Sequence, residues 1–125
     1  EGYTFNGWFM DQALTIPVIS TLPDYDFDAY AKWTINQYTI TFDLDGATGL
    51  NAITQDFDSV VNKPNDPVKQ GYTFMGWYSD ESYQTPYEFT TMKAKNITVY
   101  ALFEINKYVI NFVLYSLFQN MFIIF

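Results

Sequence analysis

Apolar and polar residues alternate along several short segments of the chain. Tyr38, Ile40, Phe42 and Leu44 share one side of the first such segment, and polar residues fill the positions between them. This period of two is typical of a strand with one buried face. Three further strands are predicted, a weaker one within Leu50–Phe57 and two clearer ones at Tyr72–Tyr78 and Ile97–Phe103.

Turn and loop signals separate these segments. Asp45-Gly46 follows the first strand and is a typical turn pair. Two prolines between Lys63 and Gly71 prevent regular ladder pairing, so this stretch is predicted to be a loop. The stretch Asp80–Lys95 shows no period, and it is predicted to be irregular or to hold a short helical turn.

The chain contains an internal sequence repeat. Three blocks occur twice in the same order: GYTFNGWFMD at Gly2–Asp11 and GYTFMGWYSD at Gly71–Asp80, YAKW at Tyr30–Trp33 and YALF at Tyr100–Phe103, INQYTITFDL at Ile35–Leu44 and INKYVINFVL at Ile105–Leu114. A fixed period of about 70 residues over three blocks indicates a tandem repeat.

The repeat predicts the domain organisation. Residues 1–33 are interpreted as the C-terminal part of one unit, 34–103 as a complete unit, and 104–125 as the start of a third with an atypical apolar end. The joins TINQY and EINKY are short and polar, without a Gly/Ser-rich or Pro-rich linker. Units joined so closely are expected to form a fairly stiff array.

Composition narrows both the fold and the chemistry. Aromatic residues make up 21% of the chain and favour a β-rich fold, because flat rings pack well on a pleated surface. Cysteine and histidine are absent, which removes disulfides, thiol nucleophiles and the imidazole of most general-base and zinc sites. The formal net charge of -8 opposes binding to phosphate backbones, so nucleic acid is not an expected partner.

The two ends of the chain lead to two expectations. Glu1 is not preceded by a basic, apolar leader, and the chain is interpreted as an internal piece of a longer protein. Residues 109–125 are apolar, but polar residues such as Asn111 and Gln119 interrupt them. A membrane span needs about 20 predominantly apolar residues. A span is therefore not expected, and a degenerate third repeat or a truncated or misread reading frame is favoured.

Three segments in order, GYTFMGWYSD, TPYEF at Thr85–Phe89 and NITVYALF at Asn96–Phe103, resemble the Listeria-Bacteroides repeat, also called the internalin B-repeat family. The resemblance spans residues 2–112. DGATG at Asp45–Gly49 replaces the family's Asn-Gly-Gly turn, and YALF replaces its closing YAKW. The third unit departs further, since Val113–Phe125 is apolar where an acidic turn is expected.

The resemblance implies an α+β, mostly β fold, in which ubiquitin-like β-grasp modules of about 70 residues follow one another and each packs a few strands on a short helical element. It also implies a non-catalytic spacer or stalk with weak adhesive or protein-interaction roles, at the cell surface or in the cell wall outside the cell. Expected partners are neighbouring repeats in the same chain and host or cell-surface proteins or glycans. No catalytic, cofactor-binding or metal-ligating residue is expected.

The repeated pairs Gly7-Trp8 and Gly76-Trp77 carry a rival interpretation, a carbohydrate-binding module that uses exposed aromatics. Indole faces favour stacking contacts with sugars. A glycine inside a strand, however, commonly lets a ring or another backbone approach closely. Each pair is therefore predicted to pack within its own module, with Trp77 largely buried. The exposure of Trp8 and Trp77 separates the two interpretations.

Carboxylates supply the other candidate sites. Asp24, Asp26 and Asp28 would share one face of an extended segment, as in an oxygen-rich calcium site, but the matching stretch of the complete unit keeps only Glu88. A solvated face is therefore favoured. The pairs Asp56/Asp58 and Asp80/Glu81 are the basis of a weaker third interpretation, a glycosidase fragment.

Two polar positions have simpler predicted roles. Asp11 and Asp80 recur directly after the Gly-Trp strand, and each is predicted to end a strand or to cap a short helix. Asn96-Ile97-Thr98 is a glycosylation sequon, and Asn96 is predicted to open the last strand as a polar residue.

Overall fold

Three antiparallel pairs of consecutive strands make up the fold, and the two pairs that carry a Gly-Trp dipeptide are here called the hairpins. The computed structural model describes residues 1–114. Its strands are β1 (Tyr3–Phe9), β2 (Tyr30–Ile35), β3 (Gln37–Asp43), β4 (Ile53–Asp56), β5 (Tyr72–Tyr78) and β6 (Ile97–Ile105). Strands β1 and β2 form a two-stranded sheet, and the other four form a second sheet in the order β4-β3-β6-β5.

The larger sheet has a parallel pair at its centre. β3 pairs with β6 in parallel, from Ile40 opposite Ile97 to Asp43 opposite Tyr100. β4 lies antiparallel to β3 on one side, and β5 lies antiparallel to β6 on the other. The first and last strands of this sheet are therefore its two inner strands, and the connection between the edge strands β4 and β5 must cross the sheet.

The core lies beneath this central pair. Its buried side chains are Ile40, Leu44, Val61, Trp77, Met92, Val99 and Ala101. The alternation predicted for β3 is confirmed at Ile40 and Leu44, which are buried on the side where Tyr38 and Phe42 pack. Apolar residues at every second position therefore supply one continuous face.

The connection between β4 and β5 pairs as extended chain with the connection between β5 and β6. The N–H of Val61 donates to the carbonyl of Thr90, and the N–H of Met92 donates to that of Ser59. This pairing brings Val61 and Met92 into the core. Extended backbone therefore covers the core side of the sheet.

The helical element implied by the resemblance has no counterpart in residues 1–114, all of whose regular elements are strands. The structure confirms the mostly β part of the expected fold, and the expectation of a helical element is wrong for these residues. Pro64 and Pro67 oppose a helix between β4 and β5. Tyr83 interrupts the other connection, because its φ of 53° is left-handed.

Each hairpin carries a bulge at its glycine. One extra residue lies between Phe74 and Trp77 relative to the facing strand, and the same irregularity lies between Phe5 and Trp8. A Cβ on Gly76 would meet only the Tyr78 ring, at 3.8 Å, so the predicted close approach is wrong. The glycine is needed for its φ of 147°, which an L side chain rarely adopts.

Most strand predictions agree with the structure. β5 has the predicted bounds, and β6 continues two residues further than predicted, to Ile105. The second strand covers Ile53–Asp56 and lies, as predicted, within Leu50–Phe57. Residues 63–71 form the predicted loop, apart from a turn at its end. The predictions for residues 115–125 lie outside the described part of the chain.

Candidate functional site

Trp77 lies at the centre of an aromatic cluster in the complete unit. Its ring centroid is 5.1 Å from that of Phe42 on β3, 5.3 Å from Phe74 on β5 and 6.2 Å from Phe89. Only 4% of its surface is exposed. The prediction that Trp77 is buried is therefore confirmed, and Trp77 is not available to stack on a sugar.

Trp8 occupies the matching position of the first hairpin but is 52% exposed. Phe5 packs on it with centroids 5.6 Å apart, as Phe74 packs on Trp77. Residues 1–35 supply no counterpart of β3, and therefore none of Phe42. The prediction that Trp8 packs inside its own module is wrong for the described chain, because the β3 side of the enclosure around Trp77, with Phe42, is missing around Trp8.

The exposed rings of this hairpin form one surface, here called the hairpin aromatic face and consisting of Phe5, Trp8 and Trp33. Phe5 lies 5.1 Å from Trp33, and Trp33 is 58% exposed. An open recess of about 440 Å³, lined by Glu1, Tyr3 and Trp33, lies at this end of the hairpin. At this face several exposed rings lie together, and aromatic stacking with a ligand is sterically open.

Asp80 closes a tight loop after β5. Its Oδ2 accepts a hydrogen bond from the N–H of Thr85 at 2.8 Å, and its Oδ1 accepts from the N–H of Gln84 and from the Ser82 hydroxyl. The Ser82 bond, followed by the bond from Gln84, lowers the pKa of Asp80 to about 2. These bonds hold the carboxylate ionised and engage both of its oxygens.

Asp11 closes the same loop after β1. Its Oδ1 accepts from the N–H of Ile16 at 2.7 Å, and its Oδ2 accepts from the Thr15 hydroxyl at 2.7 Å. The bond from Ile16, followed by that from Thr15, lowers the pKa of Asp11. The prediction that these two residues end a strand is confirmed, and they do so by ordering a turn.

The other candidate carboxylates make separate contacts. Asp56 accepts a hydrogen bond from the Gln37 side chain at 2.9 Å, and Glu81 lies 3.5 Å from the Tyr100 hydroxyl. Within residues 1–114, no three Asp or Glu side chains, Asp24, Asp26 and Asp28 included, converge as a metal site would require. Asp56 and Glu81 thus face neighbouring polar side chains, and Asp80 orders a turn.

Asn96 has a role inside the sheet. It directly precedes β6, and its side-chain oxygen accepts a hydrogen bond from the N–H of Thr39 at 2.9 Å. This bond fixes the start of β6 beside β3. Asn96 therefore opens the strand as predicted, and its side chain is engaged with the neighbouring strand.

The sequence interpretation missed the role of two asparagines in the short polar joins. Asn36 lies between β2 and β3, and Asn106 follows β6. The Thr4 hydroxyl donates to Asn36 and the Thr73 hydroxyl donates to Asn106, each at 2.6 Å. The recurrence of Ile-Asn in INQY and INKY was the signal for this role.

In residues 1–114, no helix has the length and apolar character that crossing a membrane requires.

Comparison with known proteins finds relatives that are longer than this chain. The chain is 40% identical over 111 residues to Internalin H of Listeria monocytogenes, covering 85% of this chain and 20% of that protein. It is 34% and 35% identical to two proteins of Evansella cellulosilytica with provisional membrane-protein names, one described as Gly-rich. Each of these matches covers 90% of this chain, and 17% and 13% of the relatives.

The chain thus spans a fifth or less of the length of these relatives. The model of the Listeria-Bacteroides repeat domain matches residues 1–32 and 38–102. These ranges include both Gly-Trp strands and both of the Asp loops described above. The chain belongs to the Listeria-Bacteroides repeat family.

Proposed function

We propose that the chain is a non-catalytic, tandem-repeat part of an extracellular protein and serves as a spacer with weak adhesive or protein-interaction capacity. Residues 1–33 close one unit, 34–103 form a complete unit, and 104–125 begin a third. The neighbouring repeats are its immediate partners. Host or cell-surface proteins or glycans are the partners of its weak contacts.

The observation that carries this proposal is the reuse of the same packing and turn devices in both hairpins. Each hairpin has a glycine bulge, an aspartate that closes the following loop, and a threonine bonded to an asparagine. The acids outside these turns differ, as Asp24, Asp26 and Asp28 against Glu88 show. Selection on structure preserves packing positions, whereas a catalytic site would need its acids repeated.

The strand order supports a β-grasp-like unit. A β-grasp sheet has its first and last strands side by side and parallel, with a hairpin partner on each flank. The order β4-β3-β6-β5, with β3 and β6 parallel, has this arrangement. The extended connections of this chain would then replace the helix of the β-grasp fold.

The location rests on the relatives. Internalin H and the two relatives named as membrane proteins are longer proteins, and the matched region is a small part of each. An acidic chain without cysteine or histidine is compatible with a bacterial cell exterior. The cell surface or the cell wall is therefore the proposed location.

The spacer role is tested by display on a bacterial surface. A reporter binding domain is anchored directly or through this chain, and capture of a bulky ligand by the reporter is measured. Capture is expected to rise when the chain is inserted, while the chain alone binds host proteins and glycans with dissociation constants weaker than about 1 mM, the low-affinity end for a single site. Micromolar binding by the chain alone, or turnover of chromogenic glycosides, contradicts the proposal.

The carbohydrate-binding module remains the second candidate, favoured by the hairpin aromatic face. If it is correct, the chain binds a glycan and both Trp8→Ala and Trp33→Ala abolish the binding. Tyr25→Ala is the control, because Tyr25 is an aromatic of similar exposure, 63%, that makes no ring contact with Phe5, Trp8 or Trp33. Under the spacer proposal, none of the four proteins shows saturable glycan binding.

A further inference from the structure

Asn36 is the one residue between β2 and β3, and it bonds to both sides. Its N–H donates to the carbonyl of Gly2 at 2.9 Å, and its carbonyl accepts from the N–H of Phe57 at 2.8 Å. Gly2 precedes the first hairpin, whereas Phe57 follows β4 of the larger sheet. The main chain of Asn36 therefore links the two sheets by hydrogen bonds as well as by covalent connection.

The side chain of Asn36 repeats this arrangement. Its Oδ1 accepts from the Thr4 hydroxyl on β1 at 2.6 Å, and its Nδ2 lies 3.5 Å from the Tyr38 hydroxyl on β3. A linker that allowed the two sheets to rotate freely would leave these groups to solvent. Here all four polar groups of one residue have partners, two on the side of the first hairpin and two on the side of the larger sheet.

Phe57 adds an apolar contact across the same boundary. Its ring packs edge-on against Tyr3 of the first hairpin, with centroids 5.9 Å apart, and against Tyr38 of its own sheet at 6.5 Å. Gly2 is buried, and a Cβ on it would overlap the Phe57 ring. Phe57 therefore fits against a position where only glycine leaves room.

The next join provides an internal comparison. Asn106 donates its N–H to the Gly71 carbonyl at 2.8 Å, and the Thr73 hydroxyl donates to its side chain. Gly71 has a φ of 82°, close to the 75° of Gly2. A Cβ on Gly71, however, would have no atom of the described chain within 4 Å. The two joins thus share their polar contacts and backbone shape and differ in the aromatic contact.

From these contacts we infer that Gly2, Tyr3, Thr4, Asn36 and Phe57, here called the Asn36 junction, form an interface that holds two successive repeat units in a fixed orientation. The surface at Gly2 and Tyr3 of one unit receives the aromatic side chain that follows β4 in the next unit. The inference rests on the proposed tandem organisation and specifies how one unit recognises the next. A repeat spacer with such junctions has a defined angle between units in place of a flexible link.

The test compares residual dipolar couplings from the two sheets of the complete 125-residue chain. In the wild-type chain, amides of residues 3–35 and 37–105 are expected to fit one alignment tensor. In the Gly2→Ala and Phe57→Ala variants, the couplings of the two sheets are expected no longer to fit one alignment tensor. The amide signals of β3, β5 and β6 are expected to stay dispersed. Gly71→Ala is the matched control, because it imposes the same backbone strain without touching Phe57, and it is expected to keep the common tensor.

A second matched pair covers the case in which Gly2→Ala unfolds the first hairpin. Thr4→Val removes the hydroxyl bonded to Asn36, and Thr73→Val removes its counterpart at Asn106. Only Thr4→Val is expected to increase the difference between the two fitted tensors. Two distinct tensors in the wild-type chain, or equal behaviour of both members of each pair, overturn the inference.

These outcomes are separate from those that test the spacer role. A flexible junction would leave the display result unchanged, because loosely joined units still increase distance. Tight ligand binding or glycoside turnover by the chain would contradict the spacer role while leaving the dipolar couplings unaffected.

Discussion

Single residues in the two hairpins show how surroundings decide the role of a side chain. Trp8 and Trp77 follow the same glycine bulge and contact a phenylalanine of the same strand in the same way. Phe42 and Phe89 enclose Trp77, while Trp8 keeps half of its surface in solvent. The same local sequence therefore gives a core residue in one unit and a surface residue in the other.

Replacing Trp77 by alanine is expected to destabilise the complete unit by about 3 to 5 kcal/mol, because the change removes a buried ring and leaves a cavity. Trp8→Ala is the matched substitution and is expected to cost about 1 kcal/mol or less, since Trp8 is largely solvated. Chemical denaturation, followed through the NMR signals of the β6 amides, measures the loss of stability in both variants. Equal losses for the two variants would contradict the core role of Trp77.

Asp80 makes stability depend on pH in a defined window. Its pKa is about 2 in the folded chain and 3.8 as the ordinary value, so folding favours the ionised form. Its contribution is present above the ordinary pKa and is lost as the pH falls through the folded one. The free energy of unfolding is therefore expected to decrease between pH 4 and pH 2, by less in Asp80→Asn than in the wild-type chain.

Asp80→Asn is also expected to be less stable than the wild-type chain at pH 7, because one amide oxygen replaces two charged acceptors. Glu88→Gln serves as the control, since Glu88 is an exposed acid outside the loop. Equal acid dependence in wild type and Asp80→Asn would show that the loop does not stabilise the ionised carboxylate.

Strands of matching sequence differ in length according to their partners. β6 begins at Ile97, whereas β2 begins at Tyr30, the counterpart of Tyr100. Residues 97–99 face β3 and lie beyond the part of β6 that pairs with β5. The hairpin alone therefore orders the strand only from the tyrosine onward, and the parallel partner adds the three residues before it.

This difference predicts a contrast in hydrogen exchange. Amides in the segment 97–99 are expected to exchange more slowly, by at least about tenfold, than those in the segment 27–29, because pairing with β3 protects them. Mass spectrometry on peptides covering each segment provides the comparison within one sample. Comparable exchange in both segments would show that β3 does not stabilise the start of β6.

The whole molecule combines one closed core and one incomplete one. The buried core side chains of the described residues all belong to the sheet of β3 to β6 and its connecting segments, and β1 and β2 contribute none of them. The first hairpin is attached through Asn36 and Phe57. Most of the stability of the chain is therefore expected to reside in residues 34–103.

Residues 34–103 are accordingly expected to fold alone. A 70-residue protein with these boundaries should unfold in one cooperative thermal transition and give a dispersed amide spectrum, although a domain of this size is only marginally stable. Deletion of residues 1–33 removes the ring contact between Tyr3 and Phe57. The melting temperature is therefore expected to be lower than that of the full chain. A broad, non-cooperative transition would contradict these boundaries.

The sequence by itself determined the strands, the loops and the repeat. Alternation places Ile40 and Leu44 on one face, and glycine, proline and aspartate mark the turns, because these effects act between residues close in the chain. The recurring blocks also carry the resemblance to the family, since a repeat is visible in the order of residues alone. The recurring Asp11 and Asp80 could be assigned to turns for the same local reason.

Only the tertiary structure decided what depends on distant contacts. The exposure of Trp8, the replacement of a helix by paired extended segments and the length of β6 each follow from which strand lies alongside, and a local pattern does not contain that information. The Asn36 junction also depends on distant contacts, since the sequence alone showed its asparagine only as part of a short polar join. Burial and hydrogen bonding across the fold assign these residues their roles.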